Sequence, residues 1–362
     1  MRARRICLLT ALTFAAVCCT PAGGPAPVAP PPPAGWSGPG PVPPPRRMRL
    51  FFGGDVMQHM PQVDAVRRGD GFDYEPVFRT LAPRIRAADL AVVNLETTLT
   101  RRSRYTGYPL FRSPAALADA LRDAGVDVAV LANNHICDRG AEGIRSTLAA
   151  LDEAGLLHTG AFADSVPPRE RYPLMLEKEA FRVALLNYTY GTNGLPVPSG
   201  CRVNGIDTTT IRREIASARQ DGATHVALFV HWGNEYERLP GPRQRELAAA
   251  FHRWGADLVI GSHPHVVQPA ETIEDSAGNV RGATVYSMGN FVSNQRFPDT
   301  DGALSVRVTL TLDEQGRTSC LPEYLIVWTC ISRDPNSASG RRYDIVPSYS
   351  RETVAPEHRD AF

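Results

Sequence analysis

From residue 48 onward the chain alternates short apolar runs with segments of helical spacing. The runs 50–52, 90–93, 126–131, 225–230 and 258–260 are near-continuously apolar, the pattern of strands buried on both faces. Between them, segments 78–88, 114–124, 140–154, 209–219 and 242–254 have the composition and spacing of helices. Ser113 is expected to cap the second of these, with Pro114 at its first position. Gly125 and Gly155 stand where a left-handed residue would stop two of them. Two strands, 174–176 and 182–186, flank a turn. Beyond residue 265 the pattern turns to strands alone: 266–273, 283–287, 303–312 and 324–328. The turn-forming stretches Asp275-Ser276-Ala277-Gly278-Asn279 and Asp313-Glu314-Gln315-Gly316 read as hairpin connections between them. Strand–helix alternation followed by a run of strands predicts a layered α/β sandwich. No internal repeat and no second linker interrupts it, so one domain is expected over 48–347. The stretch after Ser332 is polar and is expected to be loosely attached, with 348–362 as a C-terminal tail.

The first 47 residues follow another pattern. Met1-Arg2-Ala3-Arg4-Arg5 is basic, and 6–18 is apolar, rich in small residues and too short to span a bilayer comfortably. Residues 1–19 therefore read as an export signal. Cys18-Cys19, after Phe14-Ala15-Ala16-Val17, resembles a lipoprotein cleavage region, except that Val17 or Cys18 stands where a small residue normally precedes the lipidated cysteine. Lipid anchoring and full secretion both stay open. Residues 20–47 are dominated by Pro, Gly and Ala and read as an extended, disordered tether. The expected location is the cell envelope, with the membrane met through the signal or a lipid.

Composition narrows the function classes. A hydrophobic fraction of 43% and a charged fraction of 21% are those of an ordinary globular protein. The net charge is +1, and no basic stripe interleaved with aromatics occurs, so nucleic acid is not an expected partner. Of seven cysteines, Cys137, Cys201, Cys320 and Cys330 fall in the domain. Cys320 and Cys330 bracket a strand-like run and could pair with each other or elsewhere; spacing leaves the connectivity open.

The chemistry lies just past the apolar runs. In α/β sheets, ligand sites gather beyond the C-terminal ends of strands. After 50–52 comes Asp55, with His59 four residues on; after 90–93 comes Asn94-Leu95-Glu96; after 126–131 comes Asn133-Asn134-His135. After 225–230 comes His231, and after 258–260 comes Gly261-Ser262-His263-Pro264-His265. Alone, each has a plainer reading: a turn residue, a helix cap or a hydrogen-bonded core histidine. Five in turn, read as lying at one sheet edge, point to a metal site, and His263 and His265, two residues apart at the end of a buried strand, can point to the same side of the backbone and offer it two imidazoles. Imidazole with carboxylate suits zinc, manganese or iron. Arg112 could clamp a carboxylate or phosphate, or make only a surface salt bridge. Asn290 is a further polar candidate for substrate, with a turn role as the alternative. The stretch Tyr188-Thr-Tyr-Gly-Thr-Asn193 either lines a groove or merely ends a strand. A serine hydrolase is disfavoured, since no Gly-x-Ser-x-Gly elbow occurs.

The ordered motifs Gly-Asp-Val-Met (54–57), Asn-Leu-Glu (94–96), Asn-Asn-His (133–135), His-Trp-Gly (231–233), Gly-Ser-His-Pro-His (261–265) and Ser-Met-Gly-Asn-Phe (287–291) resemble the bacterial capsule-biosynthesis CapA/PgsA family, associated with poly-γ-glutamate. That family resembles the calcineurin-like metallophosphoesterases. The resemblance implies an α/β/β/α sandwich of that type and two divalent ions, manganese, zinc or iron. Asp55 and His265 would hold one ion, Asn134, His231 and His263 the other, with Glu96 bridging and His135 as general acid. His59 is a further candidate ligand: the usual Asp-x-His opening is here Asp55-Val-Met-Gln-His59, and Glu96 replaces the usual bridging Asp. The implied function is metal-dependent hydrolysis of a phosphoester or a γ-glutamyl amide. The alternative is a non-catalytic assembly or export factor for an anionic capsule polymer. Implied partners are that polymer or phosphoester and other capsule-synthesis proteins.

Overall fold

In the computed structural model, residues 45–163 and 172–348 are described. The expected signal, most of the tether and the tail lie outside them. Two sheets form the centre. One has eight strands. Its main path runs Arg341–Pro347, Thr318–Arg333, Gly302–Leu312, Arg46–Val56, Leu90–Leu95, Val128–Val130 and Leu157–Thr159, and Asn290–Val292 pairs beside Arg46–Val56. The other has six, in the order Leu174–Lys178, Phe181–Thr189, His225–His231, Leu258–Ser262, Val280–Val285 and Ala270–Glu274.

Side-chain alternation along the strands sorts three cores. Met48, Leu50 and Phe52 of one sheet pack with Leu185, Phe229 and Ile260 of the other, between the sheets. Phe51, Ala91 and Val93 point the opposite way, onto helices that include Ala116–Ala124 and Gly140–Ala154. Ala184, Leu228 and Val259 face Thr208–Gln220 and Pro242–Arg253. The layers are therefore α/β/β/α, as expected.

Several local expectations need correction. The first strand begins at Arg46, two residues inside the stretch read as tether, because Arg46 to Phe52 pair with Leu312 to Val306. Ser113 and Pro114 belong to a two-residue strand paired with Leu99–Thr100, so the helix begins at Ala116 without a side-chain cap. Segment 78–88 is not one continuous helix: Glu75–Phe78 ends at its first residue, and only Ala82–Arg86 is helical beyond it. Strand 266–273 shrinks to Ala270–Glu274. The stretch after Ser332 is not loose: Arg341–Pro347 is an edge strand bonded to Val327 through Arg333. Cys137, Cys201, Cys320 and Cys330 are buried free thiols, so Cys320 and Cys330 do not pair.

Gly125 and Gly155 do end helices, at φ 103° and 76°. Two other glycines answer to close approach rather than to turns. A Cβ at Gly54 would lie 2.0 Å from the Gly289 carbonyl oxygen, and one at Gly261 would lie 2.0 Å from that of Tyr286. Neither position tolerates a side chain, and each lies within two residues of a residue of the site, Asp55 or His263.

Candidate metal centre

The candidate residues come from both sheets, not from one edge. Asp55, Glu96 and Asn134 sit at or just beyond Arg46–Val56, Leu90–Leu95 and Val128–Val130 of the eight-stranded sheet. His231 ends one strand of the six-stranded sheet, and His263 and His265 follow the neighbouring one. The two sheets bring these ends together in a buried cluster. Asp55, Glu96, Asn134, His231, His263 and His265 are all buried.

The histidine pair is not presented by strand alternation. Leu258–Ser262 stops before it, and His263 and His265 adopt φ 97° and 59°, in the left-handed region. A non-glycine residue there costs on the order of 1–3 kcal/mol and persists only where its surroundings hold it. Here both rings are packed, at 4.7 Å between the His231 and His263 centroids and 5.9 Å between His263 and His265.

Hydrogen bonds aim most of the remaining groups. The Asn94 amide donates to Asp55 Oδ1 at 2.8 Å and to Glu96 Oε2 at 3.2 Å, while its own oxygen accepts from Asn133 Nδ2 at 3.1 Å. Asn134 donates to Asn193 Oδ1 at 3.2 Å, which turns its oxygen toward His231 Nε2, 3.1 Å away. His231 Nδ1 lies 2.9 Å from Ser262 Oγ. His265 Nδ1 lies 3.1 Å from Asn290 Oδ1 and 3.3 Å from Asp55 Oδ2.

Two sets of potential ligand atoms result, each within 4.8 Å: Asp55, Glu96 and His231, and Glu96, His263 and His265. Glu96 belongs to both. Its Oε1 lies 3.6 Å from His231 Nε2 and 3.8 Å from His265 Nε2. Glu96 Oε1 and His263 Nδ1 are buried with no hydrogen-bond partner. Orphaned buried acceptors are costly. Cations held by the two ligand sets would give these atoms partners, so the donor set fits a metal.

The protonation behaviour agrees. Burial, then the charges of Asp55 and Glu235, push the Glu96 carboxyl well above its usual range. Burial, then the neighbouring His263, His265 and His135, hold His231 well below the usual imidazole value. Burial and the His265 charge bring His263 down to about 3, with Asp55 partly opposing. His231 and His263 are thereby held neutral, as metal ligands must be, whereas the raised Glu96 carboxyl keeps a proton that a divalent ion would displace.

His135 stands beside the cluster. Its Nδ1 is 2.8 Å from Asp138 Oδ2, and the Phe111 amide donates to the same oxygen at 2.6 Å. The Phe111 ring meets His135 edge-on at 4.7 Å. Asp138 was missed in the sequence; the only signal was its spacing three residues after His135.

Other candidates fall elsewhere. His59 is in neither ligand set. It caps the helix Met60–Val66, its amide donating to Gln62 Oε1 at 2.9 Å, and its ring lies edge-on to Phe111 at 5.1 Å. Burial brings its imidazole down to about 4. Arg112 is paired with Glu142 at 3.1 Å, its side chain 15% exposed and its Nε buried without a partner. Asn290 donates to Gln295 Oε1 and the Thr300 carbonyl, both at 2.9 Å, so it orients His265 with all its groups engaged. The 188–193 stretch does reach the centre, because Tyr190 covers His263 at 4.5 Å and Asn193 holds Asn134.

Comparison with known proteins gives one family. The family model described as "Bacterial capsule synthesis protein PGA_cap" matches residues 49–295. The capsule biosynthesis protein CapA of Bacillus anthracis is 30% identical over 269 residues, 71% of this chain. That match covers 63% of the relative, so the chain spans less than two thirds of it. The PGA biosynthesis protein CapA of Bacillus subtilis (strain 168) is 28% identical, covering 75% of this chain and 70% of the relative. Among solved structures, TT1561 of Thermus thermophilus is similar at TM-score 0.38 and 11% identity, over 76% of this chain and 99% of that one. The purple acid phosphatase PPD1 of yellow lupin seeds is similar at TM-score 0.33 and 12% identity, over 83% and 53%. Likeness at that level assigns nothing by itself.

Proposed function

This chain belongs to the bacterial capsule synthesis protein PGA_cap family, and from that premise we propose that it is an exported, membrane-tethered, metal-dependent hydrolase acting on a phosphoester or a capsule-type γ-glutamyl amide. The observation that carries the reading is Glu96, shared by two ligand sets with one oxygen buried and unpartnered. Export and tethering rest on the sequence of residues 1–47 alone.

Asp55, Glu96, Asn134, His231, His263 and His265 would hold one divalent ion per ligand set. Such ions, manganese, zinc or iron, act as Lewis acids and make water a usable nucleophile near neutral pH. The protein's own groups do the rest. Asn94 keeps both carboxylates aimed inward, and Asn290 keeps the His265 ring turned. Asp138 accepts a hydrogen bond from His135 Nδ1–H and holds the ring so that Nε2, when the ring is doubly protonated, can give its proton to the departing oxygen or nitrogen. The Phe111 ring against His135 limits water around that proton.

The test is elemental analysis of the full chain beside a His263→Ala, His265→Ala double variant, with hydrolysis assays on phosphoester and γ-glutamyl anilide substrates. Stoichiometric metal and turnover, both lost in the variant while the fold is kept, are expected. The relatives' names, capsule and PGA biosynthesis, favour a second reading, an assembly factor for an anionic polymer. A protein that takes up no metal after reconstitution, yet whose polymer output survives in the variant, would leave that reading standing.

A further inference from the structure

One wall of the centre carries a local excess of positive charge that the chain's net charge of +1 conceals. Residues 101–112 hold Arg101, Arg102, Arg104 and Arg112 and no Asp or Glu. This loop packs on the turn that carries His59: a Cβ at Gly107 would lie 3.0 Å from the Met60 nitrogen and 3.4 Å from the His59 Cα. Its last part reaches the centre, because the Phe111 ring meets both His59 and His135 edge-on. Arg139 secures the loop, donating to the Leu110 carbonyl at 2.6 Å and to the Thr106 hydroxyl. Against the His59 ring, the Asn294 amide donates to Nδ1 at 3.4 Å, and Asn294 Oδ1 accepts from Arg296 at 3.2 Å. Arginines therefore approach the His59 turn from two separate segments.

Few of these charges are neutralised within the protein. Arg101 pairs with Glu153, and Arg102 and Arg112 share the one carboxylate of Glu142. Among the described residues no carboxylate pairs with Arg104, Arg139 or Arg296, nor with Arg67, whose guanidinium lies 5.1 Å from the Phe72 ring centre and 5.9 Å from that of Tyr105. Arg112 and Arg139 each keep a buried Nε without an acceptor. The acids of the neighbouring segments are engaged elsewhere: Asp299 with Arg238, Asp334 with Arg68 and Glu235 with the Tyr236 phenol. Like charges gathered on one wall repel each other and raise the local concentration of anions.

Glu142 indicates the anion that such groups take. Its two oxygens lie 3.1 and 3.4 Å from Arg112 Nη2, with Arg102 Nη1 at 3.8 Å. Guanidinium and carboxylate pair through charge-assisted bonds of this kind. Nucleic acid would need open rings on which bases stack. Here Arg67 lies over Phe72 and Tyr105, and Phe111 is fully buried, so Tyr108, 75% exposed, is the one open ring of the four. We propose that Arg67, Arg104, Arg139 and Arg296 form a docking surface for a polycarboxylate chain, which crosses the His59 turn and so passes beside the metal centre. The surface holds the chain through its carboxylates and needs no metal ion to do so. The choice of a γ-glutamyl polymer as probe rests on the function proposed above; the surface itself does not.

The experiment uses the full chain, freed of metal by chelation and dialysis so that ions of the centre cannot hold the carboxylates. A short fluorescein-labelled poly-γ-glutamate is titrated by fluorescence anisotropy at several salt concentrations. Saturable binding that weakens steeply with salt is expected. The double variant Arg104→Gln, Arg296→Gln weakens it about tenfold, and both side chains are exposed, so the fold is kept. The double variant Arg46→Gln, Arg47→Gln removes the same charge at exposed positions, at the end of strand Arg46–Val56 remote from Asp55, and leaves the affinity unchanged. Equal weakening by the two pairs would mean attraction by net charge alone and overturns the surface, as does an absence of binding at low salt. Oligothymidylate of the same length binding as tightly overturns the assignment to carboxylates. No turnover is read, so failure of the hydrolase reading leaves these outcomes unchanged, and failure of the surface leaves the hydrolase standing.

Discussion

Glu96→Gln is expected to change stability in opposite directions with and without metal. Glu96 is fully buried, Oε2 accepts from Asn94 at 3.2 Å, and Oε1 has no partner. Gln keeps the shape and removes the charge, and its Nε2 can face His231 Nε2 or Asp55. An unsatisfied buried polar group costs about 1–3 kcal/mol, more when charged, so in chelator at pH 8 the variant should be more stable by roughly that amount. The pH dependence has a definite sign. The unfolded carboxyl titrates near 4.5, and in the fold it keeps its proton to well above that. The folded state binds more protons through that window, so metal-free wild type loses stability as pH rises from 4.5 through the folded pKa. The variant lacks this slope. Metal reverses the order. Free ion at a hundredfold its Kd stabilises wild type by about 2.7 kcal/mol, and the variant, deprived of the carboxylate common to both ligand sets, gains much less. Thermal melts at pH 6 and pH 8, in chelator and in manganese, read both effects; 1 kcal/mol corresponds to about 2 °C for a domain of this size. A variant less stable than wild type in chelator at pH 8, or an equal metal-induced rise in both proteins, would refute the reasoning.

Two further outcomes are expected. Asp138→Asn replaces the carboxylate that orients His135 with a neutral amide; kcat should fall about 10²–10⁴-fold with metal content unchanged, and a parallel loss of metal by elemental analysis would make Asp138 a structural residue instead. His225, far from the metal cluster, is 1% exposed, and burial lowers its imidazole to about 4 from the ordinary 6.5. The unfolded chain therefore binds the extra proton, and stability is lost as pH falls from 6.5 toward 4. Urea melts at pH 7 and pH 5 should show His225→Gln losing about 2 kcal/mol less than wild type over that interval, and equal losses would contradict the assignment.

The parts legible in the sequence are those set by local pattern. The helix over Gly140–Ala154 was readable residue for residue, because its apolar stripe is complete and Gly155 supplies the left-handed residue that stops it. The strands of 225–230 and 258–260 needed only their unbroken apolar runs. The misplaced elements were decided by partners distant in sequence. Ser113 has good capping chemistry, yet pairing of Ser113–Pro114 with Leu99–Thr100 takes it into a strand. Arg341–Pro347 is polar enough to read as tail, and it is ordered by the long strand beside it.

The candidate site divides along the same line. Residue types at strand ends could be read from the chain, but not that they belong to two sheets. That difference matters for chemistry. One sheet edge would present its ligands in a row, whereas two facing edges enclose Glu96 between His231 on one side and Asp55 on the other. Enclosure is what raises the Glu96 carboxyl and leaves its oxygen without a protein partner. The residues that orient the cluster were the hardest to find, because an orienting residue has no signature of its own. Asn94 is informative only once Asp55, Glu96 and Asn133 are seen around it, and Asp138 only once a tight turn returns it to the His135 ring. Shape supplies the meaning of such positions, and the left-handed turn at His263 and His265 is the clearest case: it replaces the strand alternation on which their pairing was first read with a strained conformation that only the assembled centre maintains.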